Sequence, residues 1–535
     1  MFSCLDASIV STALVSISVE LQNYHDTPWV VLAYLLTYMS FAVGFSKLSD
    51  VYGRKNILAA AWLLFTLGSV WCGIARRMGE LIAGRAVQGM GGSGLYSLAQ
   101  VCLLEQGPSR PEVVGALVGI TLSVSFILGP LLGGALAEWN WRGIFWFNIP
   151  FGALAVLGIY ALWPEERRNR YDTTTALAKI DFLGNLLLAA ASIFLVFGMQ
   201  EAGSLVWSWS SPVIVGALAT AGACWILLVV WEYYLFRRPS SSQRIEPIFP
   251  VHLARDRVYL SCLLTTLLTG LPYLTLTTKL PEYLRLLHHD TALAAGTHLA
   301  PMLGACALGS FLGGALSKHT NRTAPTAVVG GVLQVVGVGF LAGFSRSLTS
   351  SSGDDGMGEM GMGLGPLLGF TAIYGLGVGL GFAACTMIAA MQACGPGGGL
   401  AAAQGAVAQA RVFGGALGLA ACTVLLDGRL REGEVRAGLE GVELEKVQRS
   451  LMAVLELPEG VRREVVRVYL DAFGDQMLLM VVVAVVGLVV SFGMYKSKPG
   501  QVVEVMEHHK ELAGRQGERG DVELSSVSSV RSLVR

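Results

Sequence analysis

Apolar runs of about 18 to 25 residues alternate with shorter polar connections along most of the chain. A helix needs about 20 apolar residues to cross a bilayer. The pattern therefore predicts an all-α membrane protein with about fourteen spans, at 2–20, 29–46, 57–75, 80–104, 113–136, 143–163, 180–200, 212–236, 258–278, 294–316, 325–344, 366–391, 401–426 and 476–495. The first run is shorter than a full crossing, and we expect a truncated first helix or a misplaced start site.

The polar connections predict the orientation of these spans. The turn at 46–56 carries Lys47, Arg54 and Lys55 between two apolar runs. Connections on that side hold fifteen Lys and Arg residues, against six on the opposite side when the 428–475 loop is left out. Short loops rich in Lys and Arg stay in the cytoplasm. We therefore expect both termini to be cytoplasmic.

Composition agrees with a bilayer protein. The chain is 53% hydrophobic and 14% charged, whereas about 25% of a soluble domain is charged. Lys plus Arg equals Asp plus Glu at 38 each, so the charge balance suggests no nucleic-acid partner. Segments 345–365 and 428–475 are expected to be outer loops, and polar residues 496–535 are expected to form a disordered cytoplasmic tail.

Charged residues inside the apolar spans are the first candidates for function, because each costs a few kcal/mol in lipid unless it is paired or hydrated. Asp6 is the sole carboxylate of the first span, and Arg85 lies in the fourth. They suggest a carboxylate that exchanges a proton beside an arginine, or a fixed structural ion pair. Arg411, in the thirteenth span, either lines a cavity or extends its side chain to the headgroups.

Several uncharged residues are further candidates. Gly129, Pro130, Gly133 and Gly134 suit a kinked, closely packed helix, which could be a hinge between two states or a packing feature alone. Three polar or aromatic side chains could face a cavity and contact a ligand, although anchoring and ordinary polar packing also explain them: Gln88, Trp146 and Asn148.

The sequence holds no arrangement typical of an enzyme, a metal site or a bound cofactor. Residues 89–94 match the G-x-G-x-x-G dinucleotide fingerprint, but they lie within an apolar run and follow no strand. Small residues that let helices approach closely explain this segment better. We therefore expect no catalytic residue and no metal.

Five segments of the first third of the chain resemble motifs of the major facilitator superfamily, in its fourteen-span drug:proton antiporter branch found in fungi: 5–14, 47–55, 85–91, 129–134 and 141–150. The resemblance implies a six-helix bundle at 1–163, two inserted helices within 164–257, and a second bundle at 258–495. One departure from the motifs is Ser46, which stands where the family usually has glycine.

The resemblance also implies roles for individual residues. Asp6 and Arg85 become the candidates for proton coupling, and the glycines and proline of 129–134 become the antiport hinge. The inner-side latch would consist of Asp50, Gly53, Arg54 and Lys55. The residues themselves, rather than the resemblance, make four side chains candidates for substrate contact: Gln88, Trp146, Asn148 and Arg411.

The expected function is proton-coupled export of amphipathic small molecules such as a drug, toxin or fungal secondary metabolite. The proton gradient would supply the energy without a cofactor, in a monomer that contacts the bilayer, protons and its substrate. We expect the plasma membrane, with the vacuolar membrane as an alternative. Other hypotheses are vacuolar or uptake transport of amino acids or iron chelates, and a non-transporting sensor or inactive truncated member.

Overall fold

The protein was analysed as a computed structural model, which describes the helical core and parts of the connections. The described residues are 2–21, 23, 26–106, 131–137, 139–163, 181–202, 207–237, 245, 256–287, 290–320, 323–351, 364–393, 400–437 and 459–496, with single positions between 117 and 129. The predicted tail at 496–535 lies outside them except for its first residue.

The regular structure of these residues is helical. The helices are α1 Phe2–Leu21, α2 Thr27–Tyr52, α3 Arg54–Ile74, α4 Met78–Gln106, α5 Arg142–Leu162, α6 Phe182–Glu201, α7 Pro212–Arg237, α8 Arg257–Leu287, α9 Ala292–Thr297, α10 Ala300–Thr320, α11 Thr323–Ser351, α12 Leu364–Gln392, α13 Leu400–Ala437 and α14 Glu459–Ser491. Eleven spans within the described residues are long and apolar enough to cross a membrane.

The eleven spans do not include α1, α4 or the predicted fifth span. The residues of the fifth span are described only in part. The total of fourteen therefore stays a prediction. Outward faces carry apolar side chains such as Leu157 on α5, Val229 on α7 and Val489 on α14. An apolar outer face of this kind is what a helix needs against lipid.

The helices form two halves. In the first half, α4 packs against α2 and α3, and α3 packs against α5. In the second half, α12 packs against α10 and α11, while α8 packs against α13 and α14. Close approach depends on small residues: a Cβ on Gly91 of α4 would lie 2.7 Å from the Ala61 carbonyl oxygen of α3. This confirms that the glycines of 89–94 serve helix packing.

The seam between the halves joins α2 to α13. Helix α6 packs against both of them and against α7, so the inserted pair covers this seam. Trp29 of α2 donates a hydrogen bond from Nε1 to Glu201 Oε1 of α6 at 2.8 Å. Leu36, Val196 and Ala420 then share one buried apolar cluster between α2, α6 and α13.

The helices around the long outer loop extend further than the apolar runs predicted. Helix α13 continues to Ala437, and α14 begins at Glu459 rather than near residue 476. The first turns of α14 are amphipathic, and their apolar side chains are buried: Phe473 stacks on Tyr283 of α8 with ring centroids 4.0 Å apart. Tertiary packing therefore replaces much of the expected loop at 428–475 by helix.

Candidate functional site

Asp6 and Arg85 form a buried ion pair between α1 and α4. Arg85 Nη1 donates a hydrogen bond to Asp6 Oδ2, and both residues are 0% exposed. Helix α1 brings the carboxylate into the first half, and α4 places the guanidinium beside it. Such a pair costs desolvation energy that its attraction has to offset, so further hydrogen bonds matter.

Two side-chain amides supply those hydrogen bonds. Gln88 Nε2 donates to Asp6 Oδ1 at 2.8 Å, and Gln88 Oε1 accepts from Arg85 Nη1 at 2.6 Å. Asn148 Nδ2 of α5 donates to the same Asp6 oxygen at 2.9 Å. Both amides also reach Ser69 Oγ of α3, at 2.8 Å and 3.3 Å. Four helices thus converge on one carboxylate.

The guanidinium of Arg85 is oriented from its other side by α2. Its Nε donates to the Val30 carbonyl oxygen at 3.1 Å, and its Cζ lies 4.3 Å from the centroid of the Tyr34 ring. The Tyr34 hydroxyl donates to the Ser3 carbonyl oxygen of α1 at 2.9 Å. The charged pair is therefore anchored to helices on both sides, which fixes its geometry.

The structure confirms the pairing of Asp6 with Arg85 and places Gln88 and Asn148 on the same carboxylate, rather than at a separate ligand site. Their contact with a substrate stays a prediction. Ser69 and Tyr34 belong to the same network, although sequence reasoning missed them. Ser69 carried a weak signal, because it is a polar residue on the face of α3 that also buries Phe65 and Cys72.

The glycine-rich fifth span contacts α1 beside Asp6. A Cβ on Gly129 would lie 2.8 Å from Ser8 Cβ and 3.2 Å from the Ile9 nitrogen. Gly133 and Gly134 are buried as well, whereas Pro130 lies outside the described residues. The hinge assignment stays a prediction. The geometry shows that Gly129 lies directly against the helix that holds Asp6.

The predicted turn at 46–56 is almost entirely helical, since α2 continues to Tyr52 and α3 begins at Arg54. The two helices meet at Gly53, whose φ of 87° favours glycine. Arg54 Nη1 donates to Ser49 Oγ and to the Ser46 carbonyl oxygen, so the arginine folds back on α2. Lys55 Nζ donates to the Tyr160 carbonyl oxygen of α5 at 3.5 Å. The side chain of Asp50 is outside the described part of the chain. The latch role stays a prediction.

Ser46 packs at the seam rather than within one half. It is fully buried, and its Oγ donates to the Ala42 carbonyl oxygen at 3.1 Å. Gly405 of α13 faces it, since a Cβ there would lie 3.2 Å from Ser46 Oγ. Ser46 stands where the loop motif usually has glycine, and the glycine at this contact is instead Gly405 of the second half. Its lack of a side chain lets α2 and α13 lie close together.

The remaining two candidates lie apart from the ion pair. Trp146 is 46% exposed and belongs to the apolar outer face of α5, where its ring packs over Gly73 of α3. Arg411 is buried where α13 meets both halves: its Nη1 donates to the Tyr96 hydroxyl of α4 at 2.5 Å. Arg411 therefore faces inward, and the alternative of a side chain reaching the headgroups is wrong.

The Asp6 carboxylate accepts hydrogen bonds from one cation, Arg85, and from the amides of Gln88 and Asn148. Asn148 Oδ1 is buried and accepts no hydrogen bond from the described residues. Within the same residues, no group of three His, Cys, Asp or Glu side chains could hold a metal ion.

Comparisons with known proteins match this fold and the motif-rich half. The sequence profile described as Major Facilitator Superfamily matches residues 1–200. The MFS-type transporter FPY5 of Fusarium mangiferae is 33% identical over 496 residues, which cover 90% of this chain and 79% of that protein. The efflux pump mlcE of Penicillium citrinum is 30% identical, covering 64% and 62% of the two chains. Multidrug resistance protein 3 of Bacillus subtilis (strain 168) is 29% identical, covering 59% of each.

Solved structures show the same fold at low sequence identity. A bacterial homolog of the human lysosomal transporter Spinster, in an inward-facing and occupied conformation, aligns with a TM-score of 0.55 at 16% identity and covers 92% of this chain and 93% of that one. The unoccupied form of that homolog aligns with a TM-score of 0.56 and covers 95% of each chain.

Proposed function

The chain belongs to the major facilitator superfamily, and on that premise we propose that it exports amphipathic small molecules from the cytoplasm in exchange for protons. It is a multi-pass membrane transporter by family and fold. Relatives named as efflux pumps and as a multidrug resistance protein support the direction of transport. The plasma membrane, cytoplasmic termini and a monomeric state belong to the same proposal.

The buried pair of Asp6 and Arg85 is the observation that carries the proton coupling. An ion pair without solvent contact gives little net stability, so a role in function accounts for its presence better than a structural role alone. Protonation of Asp6 would weaken its hold on Arg85 and on the Gln88 amide. Because these side chains join α1 to α4 and α5, the change would reach three helices of the first half at once.

Asn148 gives the protonated state a partner. A half-turn of its amide would present Oδ1, which accepts no bond in the present arrangement, to the new hydroxyl of Asp6. The same cluster can thus satisfy both the charged and the neutral carboxyl. Gly129, packed against Ser8 of α1, would pass the resulting helix movement to the fifth span.

Cells and proteoliposomes test this proposal together. Cells that express the chain should accumulate less ethidium than cells with an empty vector, with the protein detected in their membranes. Proteoliposomes with an acidic lumen should take up ethidium, and a protonophore should stop the uptake. Equal ethidium accumulation in both cell lines would contradict export. Ethidium uptake by proteoliposomes at the same rate with and without the protonophore would contradict proton coupling. A metabolite comparison of medium and cells, with and without the gene, would identify the natural substrate.

A further inference from the structure

Arg411 is a buried cation whose hydrogen-bonding capacity is largely unused. It is 8% exposed, and only its Nη1 has a hydrogen-bond partner, the Tyr96 hydroxyl. Its Nε and Nη2 have none among the described residues, and no described carboxylate forms an ion pair with it. Its Cζ lies 3.8 Å from the centroid of the Phe382 ring, so the guanidinium lies against an aromatic surface.

Both halves of the transporter contribute to the surroundings of this arginine. Tyr96 comes from α4 of the first half, and its ring contacts Tyr38 of α2 with centroids 6.2 Å apart. Phe382 comes from α12 of the second half, and Tyr273 of α8 meets it edge-on at 5.3 Å. Arg411 itself lies on α13. The cluster therefore occupies the seam where a substrate of an alternating-access transporter contacts both halves.

Unpartnered acceptors lie on the same two helices as Tyr96 and Arg411. Gln100, one turn from Tyr96 on α4, donates through Nε2 to the Tyr96 hydroxyl at 3.1 Å, but its Oε1 accepts no bond from the described residues. Gln404, two turns before Arg411 on α13, donates to the Thr386 carbonyl oxygen at 3.0 Å, and its Oε1 likewise has no partner in the described part of the chain. Buried polar atoms without partners are few in native proteins. Together with Nε and Nη2 of Arg411, they indicate a polar ligand; for an anion the determining group is the arginine, because an amide oxygen cannot donate a hydrogen bond.

The chemistry of the arginine selects the ligand. A guanidinium presents its N–H groups in a planar fork that fits the two oxygens of a carboxylate, and burial strengthens such a charge-assisted pair. The adjoining rings favour a flat apolar body. We propose that Arg411 binds the carboxylate of an aromatic organic acid, with Phe382 and Tyr96 beside its rings, so that the exported substrates include amphipathic anions. This inference rests on the proposed export function and specifies its substrate class.

A matched pair of ligands tests the inference on the unaltered full-length protein. 1-Pyrenebutyric acid is ionised at pH 7.5, and 1-pyrenebutanamide is its neutral counterpart of nearly the same shape. Binding of each to the purified protein in detergent can be followed by pyrene fluorescence. We expect the acid to bind at least tenfold more tightly than the amide. Equal affinities, or no binding of the acid, would overturn the carboxylate site.

Substitutions at Arg411 localise the effect. Arg411→Gln should weaken binding of the acid at least tenfold and change binding of the amide less than twofold. Arg411→Lys should fall between, because an ammonium keeps the charge and loses the fork. Lys279→Gln is the matched control, since this cation of α8 pairs with Glu282 at 2.8 Å outside the cluster and its loss should leave both affinities unchanged. If Arg411→Gln fails to fold, the carboxylate site is still tested by comparing the affinities of the native protein for the acid and the amide.

Transport separates this inference from the proposed function. Export of ethidium together with equal binding of the two pyrene ligands would refute the carboxylate site and leave export standing. Arg411-dependent binding of the acid without transport of either ethidium or the acid would support the site and refute export. Gradient-driven transport of 1-pyrenebutyrate that Arg411→Gln abolishes and Lys279→Gln preserves would support both.

Discussion

Removal of the Asp6 charge should destabilise the protein and abolish proton-driven transport. In Asp6→Asn, Oδ1 can still accept from Gln88 and Asn148, but the NH2 group that replaces Oδ2 then faces Arg85 Nη1. Breaking a buried pair by removing one partner costs about 3–5 kcal/mol, because the other charge stays buried. Arg85 keeps its bonds to Gln88 and to the Val30 carbonyl, so we expect the lower end, about 3 kcal/mol.

A second substitution separates stability from coupling. In Asp6→Asn combined with Arg85→Met, no charge remains buried at this site, and stability should return to within about 1 kcal/mol of the native protein. Gradient-driven ethidium uptake should remain absent, because the group that carries the proton is still missing. Denaturant unfolding in detergent and uptake into proteoliposomes with an acidic lumen measure the two quantities on the same preparations.

The control for the Asp6→Asn variant and the double variant is Asp181→Asn. Asp181 is also a buried carboxylate, but it caps α6 by accepting from the Gly184 nitrogen at 2.8 Å and accepts from Trp231 Nε1 at 2.9 Å. Asparagine caps helices about as well as aspartate, so stability and uptake should change little. Native rates of proton-driven uptake in Asp6→Asn would refute the coupling role, and an unchanged unfolding free energy would refute the energetic reasoning.

Four glycines give further predictions, one of them a control. Gly129→Ala should slow ethidium uptake and lower the unfolding free energy by about 1–3 kcal/mol, because its Cβ would lie 2.8 Å from Ser8 Cβ. An unchanged uptake rate and unfolding free energy would show that Gly129 is not in close contact with α1. Gly53→Ala should cost about 1–2 kcal/mol in the same measurement, since φ is 87°, whereas Gly79→Ala, with nothing within 4 Å, should not destabilise. Gly405→Leu should force α13 away from α2 and reduce the initial rate of ethidium export; a native rate would contradict close packing at the seam.

The sequence predicted most helices because a bilayer imposes length and composition on each span separately. The turn at 46–56 and the apolar runs on either side of it appear as α2 and α3 with their ends shifted by a few residues. The sequence shows an amphipathic piece at 461–473, but it does not predict that this piece is continuous with the span after it. In the structure both belong to α14, and Phe473 packs on Tyr283 of α8.

The candidate site was partly predictable for a similar reason. A charge in an apolar span is costly wherever it lies, so Asp6, Arg85 and Arg411 stand out from sequence alone. Their partners do not, because a side chain such as Gln88 is compatible with a cavity, a packing contact or an ion-pair network. Sequence distance carries no information here: the Asn148 amide reaches Asp6 across 142 positions.

The sequence by itself determined that the chain spans a membrane, which residues are too costly to leave unpaired there, and which family motifs it carries. Tertiary structure alone decided how those residues combine. It gathered Asp6, Arg85, Gln88 and Asn148 into one cluster, and at the seam of the two halves it placed Arg411 with no carboxylate partner among the described residues. The physical reason is that burial cost belongs to each residue, whereas its compensation depends on which helices lie next to one another.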